Sequence, residues 1–399
     1  MLLKVLLYNV FFNVFVLFIN TSISDALFEK FYINPSIISI TRLFINLIFI
    51  LLMVYYILTK RIKLRIYEII IIFILFVGGS ILLTPEKFEA IKVYINFIGL
   101  LSYFIVLFNI IDKDRVVLYL KNYADLLVFF ELLTIFIFRD IGYMANSNVI
   151  SGIHLSRSTL IIYLNLCIFI YLYYLYFFKK LNNRINKIVV FTIFICVFLI
   201  VLSRSSTGIL IIALFLPVLL WIKDEKRANL LLMFSSIFSV LLPIINFNSP
   251  LLNSIIGDVF HKNISFSGRR YIWDYAIGHF SNNFLIGNGF NSIDSLFRGK
   301  VIPTYDRVAA HSHNGFLEVF LQNGLIGLIL ILIIIIIFFR SINLYSSFEI
   351  RLLKTYIIIF IIFNSMEPYL LQTVSGCTFW LIGIFIIVYN KRSKERINE

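Results

Sequence analysis

The chain has 399 residues, 60% of them hydrophobic, and a formal net charge of +14. Soluble domains contain roughly 45–50% apolar residues, so this composition excludes an ordinary soluble fold and predicts an all-α polytopic membrane protein. The positive charge does not require a nucleic-acid partner, because cationic flanks of membrane helices contact the anionic lipids of a bilayer.

Apolar stretches of membrane-spanning length recur along the chain and predict about twelve transmembrane helices, since each span needs about 20 apolar residues. The two shortest stretches flank residues 203–207, so they form either one broken helix pair or two short spans. Residues 1–399 then constitute a single integral membrane domain. The predicted spans cover residues 3–20, 36–58, 66–83, 91–111, 116–138, 158–178, 187–203, 208–223, 229–246, 314–339, 352–369 and 373–390.

Lysine and arginine are concentrated in alternate connections between these spans. Cytoplasmic loops carry an excess of both residues, so the pattern predicts that the N- and C-termini are cytoplasmic. The short outer loops at residues 21–35 and 84–90 are poorer in lysine and arginine. The predicted cytoplasmic segments rich in these residues are 60–65, 179–187, 223–227, 340–354 and 391–396.

One long polar loop, residues 247–313, is predicted on the outer face between the ninth and tenth spans. Residues 269–280 have the apolar spacing of an amphipathic helix, with Ser267 and Gly268 as its N-terminal cap. Arg269 and Arg270 stand where the helix has its partial positive charge, so this end is predicted to bind anions.

Two histidines end this loop, at the boundary with the tenth span. His313 is the leading candidate for a general base, because an imidazole titrates near neutral pH. The alternative is that His313 caps the next helix together with Asn314. His311 is a second candidate, and the two histidines could bind a metal, but no carboxylate or third histidine lies close in sequence. These two residues alone do not complete a metal site.

Three further charged residues lie at predicted outer boundaries. Arg204, flanked by hydroxyl residues at a helix break, can pair with a phosphate or can be an arginine that extends to the lipid interface. Arg157 presents the same choice. Glu367 lies near the outer end of its span, where an acid needs a partner; it either orients an arginine or histidine or marks the helix end before Pro368.

Three motifs, in this order, resemble the Wzy/WaaL superfamily of bacterial polysaccharide polymerases and O-antigen ligases. The first is Ser203-Arg204-Ser205-Ser206-Thr207-Gly208, similar to a turn between two helices. The second runs from Ser267-Gly268-Arg269-Arg270-Tyr271-Ile272-Trp273 to Gly287-Asn288-Gly289. The third is His313-Asn314-Gly315-Phe316-Leu317, followed by Gly324-Leu325-Ile326-Gly327. The resemblance covers roughly residues 200–330.

The resemblance implies a GT-C-like fold and a metal-independent, inverting glycosyl transfer on the outer face of the bacterial cytoplasmic membrane. The donor would be a glycan on undecaprenyl diphosphate. Arg204 and Arg269 match the arginines that hold the diphosphate, and His313 matches the histidine that deprotonates the acceptor. The tandem Arg270 and the neighbouring His311 depart from the pattern and leave both assignments open. A flippase and a chain-length regulator are implied as partners.

Three functions remain open. The first is a polymerase for an O-antigen, capsular or exopolysaccharide chain, favoured by the relatively short outer loop and an amino-acid usage typical of AT-rich genomes. The second is a ligase that moves a finished glycan to another acceptor. The third, from a different class, is a transporter of lipid-linked oligosaccharides. Transporters often show internal repeats and charges at the membrane midplane, whereas here the halves differ and the polar residues are concentrated in one loop.

Overall fold

The computed structural model describes residues 7–20, 35–60, 62, 67–144, 149–154, 156–178, 183–245, 268–279, 283–299, 301–302, 307–342, 347–371 and 377–398. Within these ranges the chain is almost entirely helical, and we number the α-helices α1 to α15 in chain order. They are Val10–Ile19, Pro35–Leu58, Glu68–Ser80, Lys87–Ile110, Lys113–Leu132, Arg139–Gly142, Arg157–Phe177, Asn183–Leu202, Ser206–Trp221, Glu225–Leu241, Arg269–Ile277, Ile293–Phe297, Gly315–Arg340, Ser347–Asn364 and Cys377–Asn398.

Each of the twelve predicted spans overlaps one of these helices. Within the described part of the chain, five helices are long and apolar enough to cross a membrane, and three shorter helices are also apolar. The chain is therefore a polytopic membrane protein, while the full count of twelve spans stays a prediction. The five are Ser36–Leu58, Lys87–Ile110, Arg157–Phe177, Ile185–Leu202 and Gly315–Arg340, and the shorter ones are Glu68–Leu83, Ser206–Trp221 and Thr378–Tyr389.

Four helices begin where sequence rules place a helix start. The residues before α7, α9, α10 and α13 are Ser156, Ser205, Asp224 and Asn314, and each side chain accepts a hydrogen bond from the backbone N–H three residues later. These caps satisfy backbone donors that a helix end leaves without a partner. Because α8 and α9 are separated at Arg204, they are two helices and not one continuous helix.

Helix α14 lies among α7, α9, α10 and α13, and α2 packs along α4. The neighbouring helices bring the ends of α8, α10 and α14 together with the starts of α7, α9 and α13. We call this the loop end of the bundle. At the opposite end, Lys113 lies 2.5 Å from Glu349 and buried Lys354 pairs with exposed Glu225, so two ion pairs connect α14 to α5 and α10.

The amphipathic helix predicted in the outer loop is present, but it is shorter than the predicted range of residues 269–280. Helix α11 follows Gly268, which has a φ of +89° and offers no side-chain cap, and it ends at Ile277 instead of residue 280. Ser267, the other predicted cap residue, and residues 247–266 lie outside the described part. The loop also contains the short helix α12 and a hairpin of two-residue antiparallel strands, β1 (Val301–Ile302) and β2 (Arg307–Val308), in an otherwise helical structure.

Helix α13 is interrupted at Gly324, whose φ of +62° and ψ of −165° are not helical. The turn containing Gly287-Asn288-Gly289 packs against this break: Asn288 N donates to Leu321 O at 2.9 Å and Gly289 N donates to Gln322 O at 2.8 Å. A Cβ at Gly324 would lie 2.3 Å from the carbonyl carbon of Leu285. A Cβ at Gly287 would likewise lie 2.4 Å from the carbonyl carbon of Gln322. Gly287 and Gly324 therefore serve one close backbone contact that satisfies the broken helix.

Candidate functional site

His313 lies at the loop end, on the turn that leads into α13. Its φ of +56° is left-handed, which is uncommon for a residue with a side chain. The cap of α13 is Asn314, whose Oδ1 accepts from Leu317 N at 2.9 Å. Asn314 alone fills the capping role, and the His313 imidazole is half-buried, with 31% of its side chain exposed.

Asn314 also fixes this turn to two other helices. Its Nδ2 donates to Ser239 O near the end of α10 and to Ser365 O after α14, both at 3.0 Å. The next residue, Gly315, is small for a local reason, since a Cβ there would lie 2.5 Å from Asn364 Oδ1. The His-Asn-Gly sequence thus sets the position of His313 relative to α10 and α14.

A second set of hydrogen bonds fixes the turn to α11 through Ser312. Trp273 is fully buried, and its Nε1 donates to Ser312 O at 2.9 Å. Ser312 N donates to Glu318 Oε1 at 3.0 Å. The sequence analysis missed Ser312 and Glu318; the available signal was an acid inside an otherwise apolar helix, which is costly without a partner.

Glu367 contacts two of the predicted site residues. Its carboxylate is buried, with Oε1 2.7 Å from Arg269 Nη2 and Oε2 3.8 Å from His313 Nδ1. The Arg269 guanidinium favours the ionised form of this carboxylate. We call Arg269, His313 and Glu367 the Glu367 cluster. An arginine from α11, a histidine before α13 and an acid after α14 therefore meet at one place.

His311 lies against the Glu367 cluster but differs from His313. The two imidazole centroids are 4.1 Å apart, and His311 Nδ1 accepts from His313 N at 3.3 Å. Burial, with a smaller contribution from His313, lowers the pKa of His311 to about 3. His311 is therefore neutral near pH 7 and supports the backbone of His313.

Arg270, the alternative to Arg269, is directed elsewhere. Its Nη2 lies 2.9 Å from Asp274 Oδ1, and its Nη1 donates to Ile245 O at 2.6 Å. The structure thus separates the tandem arginines: Arg269 joins the Glu367 cluster and Arg270 binds its own helix and the segment after α10.

Arg204 and Arg157 lie at the same end of the bundle but outside this cluster. Neither side chain has a hydrogen bond or ion pair with any residue that the structure describes. Their turns are neighbours, because a Cβ on Gly208, one turn after Arg204, would lie 3.1 Å from Ile161, one turn after Arg157. Arg204 is exposed on a left-handed turn with a φ of +52°, and Arg157 is half-buried.

A hydroxyl contact connects the Arg157 turn to the Glu367 turn. Tyr369 Oη lies 2.8 Å from Ser158 Oγ and 3.3 Å from Thr159 Oγ1. Tyr369 is two residues from Glu367, so the turn that carries Arg157 contacts the turn that carries Glu367. The loop end therefore holds three arginines and a histidine, Arg157, Arg204, Arg269 and His313, and fixed positive charge of this kind suits an anionic ligand.

A buried acid–histidine pair that was not predicted from the sequence precedes α7. His154 Nε2 is 2.9 Å from Glu131 Oε1, and Ile153 N donates to Glu131 Oε2 at 3.1 Å. Both side chains are almost completely buried. The pair fixes the segment that leads into α7 and Arg157.

Among the described residues there is no group of three or more His, Cys, Asp or Glu side chains placed to hold a metal ion. The described cysteines, Cys167 and Cys196, are free and buried in the helix core. The independence of the chemistry from metal and cofactor stays a prediction.

Comparison with known proteins finds a family model that matches part of the chain. Residues 190–332 match the family model Wzy_C, described as O-Antigen ligase. A search of curated proteins found no match. The matched region includes Arg204, Arg269 and His313, whereas Arg157 and Glu367 lie outside it. Over residues 190–332, about a third of its length, this membrane protein is therefore similar to the Wzy_C family, whose description is O-Antigen ligase.

Proposed function

We propose that the protein is a polysaccharide polymerase. It transfers a glycan from undecaprenyl diphosphate to a hydroxyl of an acceptor sugar, on the outer face of the bacterial cytoplasmic membrane. The observation that carries this proposal is the Glu367 cluster, in which Arg269 and His313 lie on the two sides of one buried carboxylate.

His313 acts as the general base in this scheme. The acceptor oxygen attacks the anomeric carbon of the donor while its proton passes to His313 Nε2, the ring nitrogen that does not face Glu367. The bond between the anomeric carbon and the diphosphate oxygen breaks, and its electron pair leaves with undecaprenyl diphosphate. Attack from the side opposite the leaving group inverts the configuration at the anomeric carbon.

Arg204 and Arg269 stabilise the leaving diphosphate. Guanidinium groups pair with phosphate oxygens through two parallel hydrogen bonds, and fixed charge near the breaking bond lowers the barrier. The described contacts of Arg204 leave its guanidinium available for this role. In this scheme the two arginines supply the positive charge, so the reaction proceeds without a metal ion or cofactor.

The ligase alternative uses the same chemistry with a different acceptor, and the description of the matched family favours keeping it. The similarity of residues 190–332 to an O-antigen ligase family favours either transferase over the transporter. The proposal also retains cytoplasmic N- and C-termini, a flippase that supplies the donor and a chain-length regulator as partners.

A complementation experiment tests the proposal. A strain lacking the gene would be complemented with wild type, His313→Ala or Arg204→Ala, and the extracted surface glycan would be run on a gel. His279→Ala and Arg298→Ala serve as matched controls, because the described side-chain hydrogen bond of His279 is with Tyr275 O of α11 and Arg298 pairs with Asp294 at the surface.

We expect polymer ladders from wild type and both controls, and single-repeat product from His313→Ala and Arg204→Ala at equal protein levels. Long lipid-linked polymer that stays unattached in the deletion strain would identify a ligase. Repeat units trapped on the cytoplasmic face of that strain would contradict both transferase hypotheses.

A further inference from the structure

Glu367 has two partners that compete for one carboxylate. Arg269 holds Oε1 at 2.7 Å, whereas His313 Nδ1 is 3.8 Å from Oε2, beyond hydrogen-bond distance. Both His313 Nδ1 and Glu367 Oε2 are buried, and neither has a hydrogen-bond partner among the described residues. Buried polar atoms without partners are unfavourable, so a small movement of the carboxylate toward His313 would satisfy both.

Arg269 has few other interactions in this structure. Besides Glu367, its guanidinium lies 3.4 Å from the Met366 sulfur, a weak acceptor. A diphosphate offers more negative charge and more acceptor oxygens than one carboxylate, so it competes well for this guanidinium. When Arg269 turns to a diphosphate, Glu367 is free to pair with His313.

We propose that Glu367 couples donor binding to activation of the base: diphosphate at Arg269 releases Glu367, which then hydrogen-bonds His313 Nδ1. This inference rests on the proposed function. Glu367 is then a positioning residue that acts through His313. With Nδ1–H held by the carboxylate, Nε2 carries the lone pair that accepts the acceptor proton.

The charges around His313 decide the sign of the effect on its basicity. Arg269 faces it from α11 and disfavours the imidazolium, while Glu367 faces it from the turn after α14 and favours the imidazolium. His311, on the same turn, is neutral, and Glu318 on α13 is engaged by Ser312 N. Binding of diphosphate compensates Arg269 and brings Glu367 closer, so the carboxylate stabilises the imidazolium that forms during transfer only when donor is present.

The test uses the purified full chain in lipid nanodiscs with a synthetic lipid-linked repeat unit. The pH dependence of kcat and of kcat/KM would be measured for wild type, Glu367→Gln and Glu367→Asp. For Glu367→Gln we expect kcat to fall about 10-fold or more and the acid limb of kcat to move about one pH unit lower, because the base loses its anionic partner. Glu367→Asp restores part of that movement.

The donor KM separates this role from a purely structural one. If Glu367 only holds Arg269 in place, Glu367→Gln raises the donor KM and leaves the acid limb unchanged, and that result would overturn the proposal. Competition for Arg269 predicts instead that the donor KM stays equal or decreases.

The wild-type protein provides a test that does not depend on the folding of a variant. The pH below which activity falls should be higher in the kcat profile, which reports the donor complex, than in the kcat/KM profile, which reports the free enzyme. The same pH in both profiles would refute the coupling. Failure of the proposed function is separate, since it would appear as undiminished transfer by His313→Ala.

Discussion

The hydrogen bond from Trp273 to Ser312 is predicted to control catalysis through the position of His313. Trp273→Phe keeps most of the apolar packing of this buried side chain but removes the Nε1 donor that lies 2.9 Å from Ser312 O. A buried acceptor that loses its partner costs about 1–3 kcal/mol. Since about 1.36 kcal/mol corresponds to a tenfold change in rate, the loss in kcat is ~5–150-fold when the whole cost falls on the transition state.

The assay is transfer by purified protein in nanodiscs, with the melting midpoint measured alongside. Trp380→Phe is the matched control: Trp380 is also buried and donates to a backbone carbonyl, Leu370 O at 3.3 Å, but makes no described contact with the His313 turn. We expect both variants to lower the midpoint and Trp273→Phe alone to lower kcat strongly. Equal effects of the two variants on kcat would refute the positioning role of Trp273.

Two further predictions concern the loop end. Gly324→Ala should reduce the amount of folded protein in detergent extracts, because the added Cβ would meet Leu285 at a residue with a positive φ. Gly79→Ala is the control and should not reduce the yield, because the space around its Cβ is open. Equal yields of the two variants would contradict the close contact at Gly324. Burial lowers the pKa of His311 to about 3, so protonation of this imidazole opposes folding. Its contribution to stability is complete above pH ~6.5 and declines as the pH falls toward 3, and the loss at pH 5 is about 2 kcal/mol. The melting midpoint should therefore fall less between pH 7.5 and pH 5 in His311→Asn than in wild type, and an equal fall would contradict this role of His311.

The positions of the helices were predictable because long apolar stretches and capping residues are local signals. Asn314, for example, precedes an apolar run and caps α13 as expected of its residue type. The need of Glu367 for a partner was also predictable from the cost of an acid near the membrane. The identity of that partner was not predictable, since Arg269 is 98 residues away in the chain and only packing brings the two together.

Adjacent residues with the same chemistry were likewise beyond sequence reasoning. Arg269 and Arg270 differ in direction because successive residues on a helix point about 100° apart, and the sequence does not say which direction faces His313. The Gly-x-Gly turn carried no signal for its role either. Its hydrogen-bond acceptors are the carbonyls exposed by the break at Gly324, a break visible only in three dimensions.

Single-turnover transfer by His313→Gln tests whether His313 is the general base. Purified wild type and variant in nanodiscs would be mixed with lipid-linked repeat unit, and the rate of glycosidic bond formation would be measured with donor binding determined separately. We expect a rate at least ~100-fold lower with donor affinity retained, because a positioned general base contributes about that much. Transfer at the wild-type rate would show that His313 is not the base and would remove the basis of the mechanism.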